Sequence, residues 1–253
     1  MGLYLGKDKI SALRTIEKTT QSMKAYLEAG GKCASSSATT FEGCWQASDW
    51  ENVKDCSEMF SNCSGLTSIP EMDTSNVTDM NSMFYNCNNI TSIPALDTSN
   101  VKNMRYMFSN CSKLTSVQAM NTSKVTNMNN MFGFCEYLTT VPLMNTVNVT
   151  SMSNMFNYCI RMVSVPPMDT SKVTNMSSIF SSCRNLESIH MHGMKVSFDI
   201  HYSTKFTREA LVEILNNLAT VTTSRTLTMG STNLAKLTDA DKAIATGKGW
   251  TLK

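Results

Sequence analysis

Six cysteines that recur at one strict interval are the side chains of this sequence with the clearest capacity for chemistry. A thiolate can bind a soft metal, attack an electrophile or close a disulfide. The sequence contains no CxxC pair, which argues against zinc. If each repeat forms one coil of a stack, successive thiols lie about 5 Å apart and point the same way. A disulfide instead needs two side chains that are aimed at each other. We therefore predict a structural ladder of free, inert thiols, formed by Cys63, Cys87, Cys111, Cys135, Cys159 and Cys183.

Two other groups of residues have side chains that bind metals or transfer protons. The histidines His190, His192 and His201 lie near Asp199 in the sequence, and we favour a polar seam between two parts of the protein over a zinc or catalytic site. The second group is a column of equivalent positions, one per repeat, at which aspartate and asparagine exchange. A ladder of calcium ions could bind there, but a hard cation would require a carboxylate at every position. Capping of turns explains the exchange better. This column consists of Asp73, Asp97, Asn121, Asn145 and Asp169.

The common catalytic motifs are absent from the sequence. It has no GxSxG, P-loop, GxGxxG or HExxH pattern. A polysaccharide-degrading solenoid would need a carboxylate cluster on one face, and the pattern places none there. We therefore predict that the protein is not an enzyme and that it uses no cofactor and no metal.

Composition and charge narrow the classes of partner. The chain has 253 residues, 42% of them hydrophobic, and a net charge of +2. A near-neutral chain lacks the basic excess that binds nucleic acid or an anionic membrane. The N-terminus lacks the apolar run of a secretory signal, and no apolar stretch is long enough to span a bilayer. We expect a soluble protein with no nucleic-acid partner and no membrane insertion.

The elements that position these residues follow from the same repeat period. Phenylalanine, methionine, valine and leucine each recur in register with the cysteines. A period of 24 residues with apolar columns indicates a solenoid, because each coil exposes an apolar edge that only the next coil can bury. The most regular column is Phe60, Phe84, Phe108, Phe132, Phe156 and Phe180.

Each copy divides into three parts. "LTSIP" predicts a brief parallel strand that stops at its proline, "DTSNV" predicts a turn, and "TDMNSMFYNC" has apolar residues at the spacing of a helical face. Parallel strands joined in this way should coil right-handed. A polar stripe on the strand face is the candidate binding surface, although any solvated sheet face has this composition. The stripe consists of Thr67, Thr91, Thr115 and Thr139.

The recurring pattern MFxxCxxLTSIPxLDTSNVTxM resembles the BspA-type leucine-rich repeats of bacterial surface proteins. The resemblance covers residues 49–190, in six registers. It implies a leucine-rich-repeat-like solenoid that is used for adhesion or other binding. The predicted fold class is therefore α/β, a right-handed solenoid of strand-turn-helix coils over residues 48–190.

The two ends differ from the repeats. Residues 191–253 predict a strand-helix-strand-helix unit that caps the array, with Thr207 and Thr238 as helix N-caps, and this segment resembles the tail of repeat proteins encoded by phages of gut Bacteroidales. Residues 1–47 predict a small hairpin, an amphipathic helix and a linker of small residues. The apolar stripe of that helix either folds back on the array or docks on another chain.

These features favour a phage virion component, a fibre or decoration that is attached through its N-terminal segment and presents the solenoid outward. The expected location is the virion surface, and the expected ligand is a host surface protein or glycan. The alternative is a bacterial surface adhesin whose export signal is missing from this sequence. The N-terminal segment would bind other virion or surface proteins, or further copies of the chain in a homo-oligomer.

Overall fold

The structure is a computed structural model that describes residues 53–69 and 71–253. The predicted hairpin, helix and linker of residues 1–47 lie outside the described residues. The described part contains the repeat array, which runs from residue 53 to residue 190, and the C-terminal unit of residues 191–253. One continuous hydrophobic core connects the two.

The predicted apolar columns form the core of the array. The ladder cysteines, the phenylalanine column and most members of the methionine column are almost completely buried. Consecutive phenylalanine rings from Phe60 to Phe180 stack with centroids 5.3–6.0 Å apart and planes within 12° of parallel. The period of the sequence is therefore the period of the stacked coils, as predicted.

The predicted short helix of each coil is wrong, because this segment is a run of tight turns. In the second coil, the N–H groups of Tyr85 and Cys87 close turns within the coil at 3.1 Å. Those of Ser82, Phe84 and Asn86 instead donate to carbonyls of the next coil at 2.8–2.9 Å. Ser82 and Asn86 have φ angles of 55° and 61°. Left-handed residues at every fourth position interrupt an α-helix, and the next coil takes the N–H groups that a helix would use.

The predicted strands form only at the C-terminal end of the array, among the described residues. There β1 (Ser164–Asp169) pairs with β2 (Ser188–His192) in parallel. The expectation that such strands stop at proline is wrong here, since β1 continues through Pro166 and Pro167 with an irregular register between Val165 and Met168. Elsewhere in the array, single parallel bridges link successive coils at Asp55, Asp79, Asn103, Asn127, Ser151 and Asn175.

The C-terminal unit has the predicted order of elements and two more. Its strands β3 (Phe198–Asp199), β4 (Arg225–Thr228) and β5 (Trp250–Leu252) form a parallel sheet in the order β3-β4-β5. Its helices are α1 (Arg208–Asn217), α2 (Gly230–Leu234) and α3 (Asp239–Thr246). The sequence pattern did not predict α2 or β5.

The predicted helix caps of this unit are confirmed. The Thr207 hydroxyl accepts a hydrogen bond from the N–H of Ala210 at the start of α1. Thr238 and Asp241 form the predicted capping box at the start of α3. Asp241 also accepts two hydrogen bonds from Arg208, of 2.7 and 2.8 Å, which join α3 to α1. The two helices are therefore held together by a side-chain network.

The unit closes the array through backbone and side-chain bonds. Gly193 donates its N–H to the carbonyl of Asn217 at the end of α1. The buried Ser203 hydroxyl donates to the carbonyl of Cys183, the last ladder cysteine, at 2.6 Å. The last coil therefore has partners for its polar groups, which is what a terminal cap must provide. Within the described residues, no helix is both long and apolar enough to span a membrane.

Candidate binding surfaces of the repeat array

The threonine stripe lies on the surface of the array. Thr67, Thr91, Thr115 and Thr139 are exposed, and each is followed by an exposed serine or threonine. The hydroxyl and the N–H of Thr115 both bond to the Thr91 carbonyl, at 3.1 and 3.0 Å. Val163 takes the next position and donates to the Thr139 carbonyl at 2.9 Å. The stripe is thus exposed and internally bonded, and a binding role for it stays a prediction.

A second surface, which the sequence analysis did not single out, is formed by the outward side of the turns. We call it the turn face: positions 57, 58, 61 and 62 and their equivalents in the five following coils. All of these positions hold Ser, Asn, Gly, Tyr or Phe, except for the charged residues Glu58 and Arg105. All but four are exposed or half-buried, whereas their neighbours in the apolar columns are buried. The turn face is therefore broad, polar and almost uncharged.

Aromatic rings interrupt the turn face at two places. Phe134 and Tyr158 stack with their centroids 5.4 Å apart and remain 37% and 39% exposed. Tyr85 and Tyr106 meet edge to face at 6.1 Å, and the Arg105 guanidinium lies 4.8 Å from the centre of the Tyr106 ring. Both aromatic pairs join neighbouring coils. In the sequence, the turn-face positions that hold these rings vary from coil to coil, whereas the neighbouring apolar columns stay constant. This variation is the signal that could have located the aromatic pairs.

The cysteine ladder is structural, with one correction. The Cys87 thiol donates to the Phe60 carbonyl of the preceding coil at 3.1 Å, and Cys111, Cys135, Cys159 and Cys183 repeat this contact at 2.9–3.1 Å. That carbonyl also accepts the N–H of its own coil's cysteine, so both lone pairs are used. The sequence had assigned the cysteine only a packing role; the thiol is also the donor that links coils.

Burial makes these thiols inert. It raises the pKa of Cys87 and of Cys183 to about 12, and the pKa values of Cys111, Cys135 and Cys159 lie well above their usual range for the same reason. The prediction of free thiols is confirmed for these five, and Cys56 is also free. It is wrong for Cys63, which is disulfide-bonded. Cys63 is the first ladder member, so the argument from equivalent stacked cysteines applies to it only on the side of Cys87.

The aspartate and asparagine column caps turns, the interpretation that the sequence favoured. The Asp73 carboxylate accepts the N–H of Ser75 at 3.0 Å, and Asn121 accepts that of Ser123 at 3.2 Å. Hydrogen bonds from the serine two residues on lower the pKa values of Asp73, Asp97 and Asp169. Among residues 53–69 and 71–253, no group of three or more His, Cys, Asp or Glu side chains is arranged to hold a metal. In this column, a carboxylate and an amide side chain both accept the hydrogen bond that caps the turn.

The histidines do not converge on one site. His190 on β2 bonds to Glu213 on α1 at 2.7 Å, which forms the predicted seam between the array and the C-terminal unit. His201 instead bonds to Asp199 at 2.5 Å within the C-terminal unit, and His192 is exposed. The His190–Glu213 pair joins the array to the C-terminal unit, and the His201–Asp199 pair lies within that unit. Both pairs therefore have a structural role.

Stacked coils of one repeat each, with a buried ladder and a terminal cap, define a solenoid of the leucine-rich-repeat class. The chain matches the family described as "Mycoplasma protein of unknown function, DUF285" over residues 32–143 and 134–208, and it belongs to that family. Among solved structures it is similar to the leucine-rich repeat protein TpLRR of T. pallidum, with a TM-score of 0.51 and 15% identity over 74% of this chain and 84% of that chain. This likeness concerns the fold alone. No curated protein matches the chain.

Proposed function

We propose that this protein is a non-enzymatic binding protein that presents its repeat array to a partner on a cell surface. The observation that carries the proposal is the division of labour between columns. The side chains of the cysteines, the aspartate column and His190 already make hydrogen bonds within the protein, whereas the threonine stripe and the turn face are exposed, polar and almost uncharged. Such surfaces suit recognition of a protein or a glycan.

The N-terminal segment is proposed as the attachment element. The predicted helix before residue 31 has an apolar stripe that must be buried against something, because a helix of this length is marginal alone in water. Attachment of this segment to a particle would make the chain a phage fibre or decoration protein. Attachment to a bacterial envelope would make it an adhesin.

Deleting residues 1–31 tests the proposal. We expect the melting temperature of the array to stay nearly unchanged, while assembly into particles or oligomers, followed by light scattering, is lost. The full-length protein should still bind intact host cells when it is added as a labelled, purified chain. Unfolding of the array on deletion would make the segment a cap, and absence of binding to any cell surface would contradict the binding role. Detection of the chain in purified phage particles, or in the cell envelope, decides between the two locations.

A further inference from the structure

Three aromatic side chains of the turn face stand at backbone positions that disfavour them. Tyr106, Phe134 and Tyr158 have φ angles of 56°, 62° and 60°. Asparagine adopts this left-handed conformation more readily than bulky residues do, and Asn110 occupies the equivalent position one coil before Phe134. The three rings lie outside the core. The core does not account for these rings, and bulky side chains at strained backbone positions are typical of functional sites.

Amide groups around the rings are available for an external partner. Within the described part of the chain, the side-chain amides of Asn110, Asn130, Asn154 and Asn157 make no hydrogen bond, and all four side chains are partly exposed. An amide offers two donors and one acceptor with two lone pairs, so it can pair with hydroxyl groups in either sense. The rings and the free amides therefore form one surface that combines stacking with two-way hydrogen bonding.

Charge selects the class of ligand. The turn face has only two charged residues, which leaves little to pair with the Lys, Arg, Asp and Glu side chains that cover ordinary protein surfaces. Burying such charges against unpaired amides would carry a desolvation cost. A neutral glycan has no such charges, and it presents C–H faces for stacking and hydroxyls for the amides.

We propose that the turn face around Phe134 and Tyr158 is a binding site for neutral oligosaccharides. This inference rests on the proposed function and names its ligand. Phe134 and Tyr158 supply the stacking surface, and Asn130, Asn154 and Asn157 supply hydrogen bonds to sugar hydroxyls. The threonine stripe is a separate surface and is not required for this binding.

The test uses the full chain on an array of neutral oligosaccharides of glucose, galactose, mannose and N-acetylhexosamines, together with sialylated and sulfated counterparts. The variant is the double substitution Phe134→Asn and Tyr158→Asn, which installs the residue that suits the left-handed backbone and so should fold. Tyr202→Asn is the matched control, because Tyr202 is 43% exposed on the C-terminal unit. A second variant, Asn130→Asp, adds a charge without changing the shape of the side chain.

We expect neutral glycans to bind, and the double variant to lose at least about tenfold in affinity. Tyr202→Asn should bind like the unmodified chain. Asn130→Asp should weaken binding, and affinity should change little between about 0.05 and 0.5 M salt, since no ion pair is involved. Melting temperatures of all variants establish that they are folded.

Three results would overturn the inference: binding restricted to the charged glycans, unchanged affinity of the double variant, or no glycan binding at all. Binding to intact cells separates these from failure of the proposed function. If the chain binds cells and protease treatment of the cells abolishes the binding, the partner is a protein and only the glycan inference falls. If the chain binds no cell, the proposed function falls as well.

Discussion

The repeat array and the C-terminal unit share one hydrophobic core but use different hydrogen bonds to hold it. In the array, backbone groups and thiols reach the neighbouring coil, as when Phe84 donates to Met107. In the C-terminal unit, capped helices are joined by charged side chains, and the Lys248 ammonium donates to three carbonyls at the end of α1. In the array, the backbone of each coil bonds to the next copy of the same coil. The C-terminal unit occurs once, and it adds side-chain hydrogen bonds to the backbone pairing of its short sheet.

The comparison predicts that the array is most sensitive at its shared core. Phe108 is 1% exposed and stacks at 5.6 Å on both Phe84 and Phe132. Phe108→Ala should therefore cost about 3–5 kcal/mol, because two coils together cannot close the cavity. Urea unfolding monitored by circular dichroism measures the change.

Two exposed positions are controls for the core substitution. Phe134→Ala removes the same side chain from the surface, and Thr115→Ala removes one exposed hydrogen bond. Each should cost less than about 1 kcal/mol. A larger loss at either position than at Phe108 would reverse the assignment of inner and outer columns.

The C-terminal unit should be most sensitive at its charged side chains. Lys248→Met keeps the length of the side chain but removes three hydrogen bonds to carbonyls at the end of α1, and we expect a loss of about 1–3 kcal/mol. Lys242→Met is the control, because within residues 53–69 and 71–253 the Lys242 ammonium has a single polar contact, a long and exposed one of 3.7 Å with Asp239. Equal effects of the two substitutions would show that the cap of α1 contributes nothing.

Acid should weaken the unit through Asp241. Hydrogen bonds from Arg208 and from the Thr238 N–H lower the pKa of the Asp241 carboxyl from 3.8 to about 2. A carboxyl with a lowered pKa in the folded state contributes stability that is present above about pH 4 and is lost as the pH falls towards 2. The melting temperature of the native chain should therefore fall more steeply over this window than that of Asp241→Asn. Asp239→Asn, at an exposed position, should behave like the native chain.

The last prediction involves the smallest effect on stability. It tests the cysteine ladder through the reactivity of its thiols. Cys87, Cys111, Cys135, Cys159 and Cys183 are buried with raised pKa values. They should react with a thiol reagent only after unfolding. Without reductant, the denatured chain should then reveal at least six free thiols, including Cys56. Two or fewer would contradict the ladder.

Much of this protein was decided by local or repeated patterns that the sequence displays. The strict period identified the solenoid and its buried columns, because an apolar residue that recurs in register has no other place to be buried. Thr207 and Thr238 identified two helix starts, because caps depend on residues close in sequence. The exchange of Asp73 with Asn121 showed that the column caps turns.

Contacts between coils decided the rest. The pattern of Met80, Met83, Phe84 and Cys87 fits one face of a helix, yet the next coil takes the N–H groups of Ser82, Phe84 and Asn86 and the chain turns instead. Spacing along one copy cannot show this, since the partner carbonyls belong to another copy. The same limit hid the pairing of Phe134 with Tyr158, which lie one full repeat apart in the chain and 5.4 Å apart in the fold. The sequence by itself determined which residues are buried; only stacking determined the backbone path and the surface that the exposed residues form.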